Sequence, residues 1–208
     1  MLNIGMIDQR LIDTNQIHLS KSLDTKINTN AENLFVISDA LDATVLEKLW
    51  QYVSSVPDHF WQKVEKQESR PRFRISWDPD TVIEELHEIF NAVTPKINRI
   101  FSGPPKNFWG VSVWKDLPGY ELGWHTDNAD IDVAVQIYLY VNAGLGTVFI
   151  SEEEPLLISS NHNSGYMVLH TGDNKMPHRT QNIIPEGIIR YSLYAVWSRL
   201  PKHTPDAQ

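Results

Sequence analysis

The 208-residue chain contains no cysteine. That absence excludes disulfides, zinc thiolates and thiol nucleophiles together, and it fits a cytoplasmic protein. No apolar run approaches the roughly 20 residues that cross a bilayer as a helix, so no membrane association is expected. Residues 1–30 lack a basic cluster followed by an apolar stretch, and no secretory signal is expected from them. Positive charge is also scarce: 18 Lys and Arg stand against 26 Asp and Glu, for a net charge of −8. A polyanion would be repelled overall, so nucleic acid is not an expected partner.

Hydrophobic residues make up 41% of the chain, enough for a sizeable core. Residues 1–30 are polar and without periodicity, which predicts a flexible N-terminal extension. Leu34 to Ile37 has β-type composition. Val45, Leu46, Leu49, Tyr52, Val53 and Val56 recur at three and four, which predicts a helix over 43–56, capped by Asp39 or Asp42 and ended by Pro57. A second helical period runs from Asp80 to Phe101, with Pro95 expected to kink or divide it. Gly103-Pro104-Pro105 then breaks the chain.

Beyond Phe108 the pattern changes to short β-type runs. Strands are predicted near 109–115, 121–125, 133–141, 147–150, 156–159, 165–170, 178–184 and 189–197. Short strands separated by Pro and Gly predict a sandwich or barrel, with the helices on one outer sheet face. The expected fold is thus mainly β with N-terminal helices. It comprises one domain over 31–200 (helical support over 31–106, β core over 107–200) and a tail over 201–208. In the run 133–142, one alternating face is aliphatic and should meet the helices. The other carries Gln136, Tyr138 and Tyr140, which suits a polar cavity wall.

The candidate chemistry begins at Gly119 to Asp127, G-Y-E-L-G-W-H-T-D. On an extended segment His125 and Asp127 share a face. An imidazole and a carboxylate converging there supply two thirds of a facial triad for non-haem Fe(II). His162, His170 and His178 are the candidates for the third ligand. His162 lies in a turn composition, and His170 ends an apolar run. His178 is favoured by its downstream neighbours: a turn at Pro185-Glu186-Gly187, then Arg190 and Ser192 on one strand face. A hairpin there would make His178 and Arg190 neighbours. A guanidinium beside a hydroxyl is a good carboxylate anchor, as needed to hold a 2-oxo acid on iron.

The order and spacing of these pieces resemble the double-stranded β-helix (jelly-roll) core of the Fe(II)- and 2-oxoglutarate-dependent dioxygenases, prolyl hydroxylase-like branch. The matching pieces are Gly119-Tyr120, Trp124-His125-Thr126-Asp127, Ile137 to Asn142, Gly146 to Phe149, Pro177-His178-Arg179, Arg190 to Leu193 and Trp197. The resemblance covers roughly Leu34 to Trp197. It implies His125, Asp127 and His178 as iron ligands and Arg190 as the partner of the far carboxylate of 2-oxoglutarate, with Ser192 assisting. It further implies that Tyr140 touches the cosubstrate, and Tyr138 is grouped with it. The implied reaction consumes dioxygen, with ascorbate as an optional stimulant, and hydroxylates a peptide, protein or small-molecule substrate, peptidyl proline first. Three features depart from the branch: Arg190 stands where collagen-type enzymes have lysine, the gap of 12 residues from His178 to Arg190 is a little longer than usual, and Trp114 stands where tyrosine is frequent. A cupin-like metal-binding protein or a zinc hydrolase on a similar jelly roll is the competing expectation.

One basic segment stands out in this acidic chain, from His59 to Asp78. Arg70, Arg72 and Arg74 alternate with Pro71, Phe73 and Ile75. As a strand this segregates the guanidinium groups from the apolar side chains. The segment is expected to be a solvated connection, with a substrate-covering lid as the alternative.

Overall fold

A computed structural model describes residues 33–64, 71–101, 103–139, 144–150, 155–170 and 176–200. The elements in chain order are β1 (Leu34–Ile37), α1 (Ala43–Ser55), β2 (Gln62–Lys63), β3 (Arg72–Ile75), α2 (Val82–Ile100) and β4 (Asn107–Asp116). They continue with β5 (Val133–Tyr138), β6 (Thr147–Ile150), β7 (Pro155–Ile158), β8 (Ser164–Leu169), β9 (His178–Thr180) and β10 (Arg190–Ser198). A seven-stranded sheet has the order β1-β8-β5-β10-β4-β3-β2, and a three-stranded sheet the order β7-β6-β9. Every pairing between these strands is antiparallel. The two-sheet arrangement, with β5 and β10 central to the larger sheet, is that of a jelly-roll core carrying two helices.

The helices form where the apolar spacing predicts them, and their ends have identifiable causes. Asp42 caps α1, its side chain accepting from the Thr44 amide at 2.8 Å. Asp39 instead adopts a positive φ of 49° in the preceding turn. Thr81 caps α2 through the Ile83 amide. Pro95 lies inside α2 without dividing it. Both Pro95 and Asn91, whose carbonyl loses its intrahelical partner, are exposed, so water can take the bond that proline cannot make.

Strand alternation sorts the core into two layers. Val133, Val135 and Ile137 of β5 and Leu193, Ala195 and Trp197 of β10 pack against Leu49, Leu86 and Phe90 of the helices. Ala134 and Tyr138 turn to the other face, toward Phe149, Ile158 and Tyr166 between the sheets. Full burial of each Val, Leu, Ile or Phe side chain among these contributes about 1.5–3 kcal/mol. The buried Trp197 indole also donates to the Thr94 hydroxyl at 3.0 Å, so its one polar atom is satisfied within that layer. Gly165 is where the strands run tightest: a Cβ there would lie 1.8 Å from the Gln136 carbonyl oxygen. No helix of the described residues is long and apolar enough to cross a membrane.

The described residues of segment 59–78 form secondary structure rather than a solvated connection. A short 3-10 turn (Asp58–Phe60) is followed by β2 and β3, and β3 pairs with β4 as part of the large sheet. Phe73 and Ile75 pack on the helix-side core, as their alternation predicts. Arg72 and Arg74 take the opposite face and line the cavity between the sheets. Arg70 lies outside the described residues.

Candidate active site

The segment 120–125 runs antiparallel to 178–184 without forming the regular strand its sequence predicts. The Tyr120 carbonyl accepts from Ile184, that of Leu122 from Thr180, and that of His125 from His178, at 2.8–3.0 Å. These contacts advance unevenly on the two sides, so a continuous ladder cannot form. Gly119, at φ +84°, sets the turn that starts the segment. The pairing ends in a reciprocal bridge: His125 N–H donates to His178 O at 3.0 Å, and His178 N–H to His125 O at 2.8 Å. Two histidines from distant parts of the chain are thereby held side by side, with ring centroids 4.3 Å apart.

One ligand atom each from His125, Asp127 and His178 lies within 4.8 Å of the others. The imidazole of His125 is held through Nδ1 by the Gly123 carbonyl at 2.9 Å, and that of His178 through Nδ1 by the Met176 carbonyl at 3.1 Å. Because a carbonyl only accepts, each Nδ1 carries a proton, and in the neutral ring Nε2 then presents its lone pair to the site. Burial lowers the pKa of His178, which favours the neutral, ligating form.

Asp127 is held by His170. The His170 Nε2 lies 2.9 Å from Asp127 Oδ2, while Asp127 Oδ1 faces His178 Nε2 at 3.8 Å. Burial works against the Asp127 charge, but the hydrogen bond from His170 and the surrounding imidazoles hold its pKa down at about 2. The carboxylate thus has one oxygen committed to His170 and the other turned to the histidine pair. His162 stands apart, its Nδ1 bonded to the Leu139 carbonyl at 2.8 Å. The three converging groups could hold a divalent transition metal: two imidazoles, one ionised carboxylate, and an orienting partner for each.

A second polar cluster lies further inside. Asp116, on β4, faces Arg190 of β10 on one side and Arg72 of β3 on the other. Asp116 Oδ1 accepts from Arg72 Nε at 2.5 Å, and Oδ2 from Arg72 Nη2 at 2.9 Å. Oδ2 also accepts from Arg190 Nε at 2.9 Å and Nη2 at 2.7 Å. Arg190 Nη1 donates to the Leu145 carbonyl. Burial opposes the charge on Asp116, yet the two guanidinium groups hold its pKa below the usual carboxylate value.

The cavity has a volume of about 940 Å³, and its lining includes His125, Asp127, His178, Arg72, Arg190 and Ser192. Ser192 is buried, and its hydroxyl lies 3.5 Å from Gln136 Nε2. Tyr138 is fully buried, with its hydroxyl 2.6 Å from Thr147 Oγ1 and its ring 5.9 Å from the Arg190 guanidinium. Tyr140 lies outside the described residues. Arg190 and His178 share the cavity but are not hairpin neighbours. Pro185-Glu186-Gly187 carries the chain from one sheet to the other, leaving β9 paired with β6 and β10 with β4 and β5. Sequence reasoning missed Asp116 and the inward role of Arg72. Asp116 carries no motif, and only the alternation of Arg72 with Phe73 hinted at a shared face.

No protein-family model matches the sequence, and no curated protein does. Solved structures match the fold. A Pseudomonas putida prolyl-4-hydroxylase superposes with a TM-score of 0.65 at 16% identity, over 83% of this chain and 95% of that one. An oxidoreductase of the 2OG-Fe(II) oxygenase family from Burkholderia pseudomallei gives 0.61 at 15% identity, over 81% and 85%. HygX from Streptomyces hygroscopicus, with nickel and 2-oxoglutarate bound, gives 0.60 at 10% identity, over 81% and 83%. A second HygX structure also holds hygromycin B. The fold of this chain is therefore the jelly roll of the Fe(II)- and 2-oxoglutarate-dependent oxygenases.

Proposed function

We propose that the protein is an Fe(II)- and 2-oxoglutarate-dependent dioxygenase that hydroxylates a substrate C–H bond and releases succinate and CO2. Residues 31–200 would form the single catalytic domain. The observation that carries this reading is the pairing of two sites in one cavity. Two imidazoles and a carboxylate converge at one place, and a buried arginine cluster with one more positive than negative charge lies at another. A cupin-like binding protein or a zinc hydrolase needs the first site but has no use for the second.

His125, Asp127 and His178 would hold Fe(II) through His125 Nε2, Asp127 Oδ1 and His178 Nε2. Bound iron supplies the dioxygen chemistry that couples oxidative decarboxylation of 2-oxoglutarate to hydroxylation. The chain's own groups do the rest. His170 keeps Asp127 oriented and ionised, and Arg190 and Ser192 receive the far carboxylate of 2-oxoglutarate.

The first substrate class is a prolyl residue in a peptide or protein, supported by the likeness to the Pseudomonas putida prolyl-4-hydroxylase. A free small molecule is the second reading, supported by the HygX structure that holds hygromycin B. The test is succinate formation from 2-oxoglutarate with Fe(II), combined with mass spectrometry of proline-containing peptides and small molecules for a gain of one oxygen. His178→Ala should abolish succinate formation, while His170→Ala should retain part of it. An active His178→Ala variant alongside a dead His170→Ala variant would reassign the third ligand.

A further inference from the structure

We infer that Arg72 is half of a two-arginine grip on the far carboxylate of 2-oxoglutarate, with Asp116 as the positioning residue that aligns Arg72 with Arg190. The inference rests on the dioxygenase reading above and adds a cosubstrate-binding residue from the segment that precedes the β core.

The register places the three residues in one row across three strands: Arg72 opposite Asp116, and Asp116 opposite Arg190. All three are withdrawn from solvent, with side-chain exposures of 11% for Arg72, 0% for Asp116 and 2% for Arg190. A guanidinium carries five N–H donors. Arg190 directs two to Asp116 and one to the Leu145 carbonyl, leaving two. Arg72 directs two to Asp116, leaving three with no protein acceptor among the described residues. Both arginines line the cavity, so the remaining donors have a space in which to meet a ligand.

Charge points the same way. Two guanidinium groups and one carboxylate leave one positive charge in a buried place. Burying an unbalanced charge is costly, and an incoming anion removes the cost. If Arg72 served only to tie β3 to β4, a single Asp–Arg pair would balance without it, and Arg190 would already be neutralised. The orientation of Arg72 is fixed as well: its guanidinium carbon lies 4.3 Å from the Trp114 ring centroid and 4.1 Å from that of Tyr120. A cation held against two aromatic faces, with its fork aligned by a carboxylate, is preorganised for planar recognition of a second carboxylate.

The test uses the full chain with Mn(II) in place of iron, so that no turnover occurs. Dissociation constants are measured by tryptophan fluorescence for 2-oxoglutarate and for 2-oxopentanoate, which has a methyl group in place of the far carboxylate. The wild type should favour 2-oxoglutarate by at least about a hundredfold. Arg72→Gln should lose about tenfold or more for 2-oxoglutarate and nothing for 2-oxopentanoate. Arg72→Lys, which retains the charge if the Gln variant does not fold, should show the same split at smaller size. Equal loss for both acids, or no loss for either, would overturn the inference and leave the dioxygenase reading standing. Failure of the wild type to bind either acid would overturn both.

Discussion

The two ends of the cavity are built by different means. At the metal end, His125 and Asp127 are only partly buried and lie outside any regular strand. Their geometry depends on backbone carbonyls that fix the two histidine tautomers and on His170, which occupies one oxygen of Asp127. At the arginine end, Arg72, Asp116 and Arg190 sit on three adjacent strands of the large sheet, and cross-strand register alone brings them together. The metal end holds a single charge, on a carboxylate that keeps some exposure and several imidazole neighbours, so it can lose one group at modest cost. The arginine end cannot, because each charge there is buried by virtue of the others.

The largest expected effect comes from that contrast. Asp116→Ala leaves two guanidinium groups buried without their common partner and should cost about 3–5 kcal/mol of folding stability. His125→Ala, at the metal end, should abolish succinate formation while changing stability by about 1 kcal/mol or less. Urea unfolding of the two variants measures the difference directly, and equal losses would erase the distinction between the two ends.

A smaller effect separates charge from geometry at the arginine end. Arg190→Lys keeps the charge and loses the planar fork. A charge-assisted hydrogen bond contributes roughly 1.5–3 kcal/mol, so the KM for 2-oxoglutarate should rise about ten- to hundredfold. Steady-state kinetics checks this. An unchanged KM would leave Arg72, the other guanidinium of that cluster, as the main anchor.

The smallest effect is expected from the residue that supports the metal end. His170→Ala removes the hydrogen bond to Asp127 Oδ2 and should weaken Mn(II) binding about 10–100-fold, the usual range for loss of an orienting partner, with the fold retained. His162→Ala should leave the affinity unchanged, because His162 bonds to the Leu139 carbonyl, away from the metal ligands. Calorimetric titration of the two variants gives the comparison, and similar affinities would mean that Asp127 holds its orientation without His170.

Much of this molecule was legible in the sequence, for reasons that are local. The apolar spacing of Val45, Leu49 and Val53 marks α1 because burial on one face of a helix requires it. The alternation of Val133, Val135 and Ile137 with Ala134, Gln136 and Tyr138 told the helix-facing side of β5 from the side that faces the smaller sheet. His125 and Asp127, two residues apart, converge even without a regular strand between them. His178 lies in one cluster with His125 and Asp127, while His170 stands behind Asp127.

What the sequence by itself determined was the class of each segment and the residues able to carry the chemistry, because period, capping and ligand type are properties of near neighbours. The tertiary structure alone decided the rest. Whether β9 and β10 form a hairpin depends on which strands compete for their edges, and β10 is taken by β4 and β5. The inward turn of Arg72 depends on β3 joining the sheet beside Asp116, 44 residues away. The roles of His170 and Asp116 likewise come from contacts across 43 and 74 residues of chain. No local pattern encodes such pairings. They arise when the sheets close and buried charges take the only partners within reach.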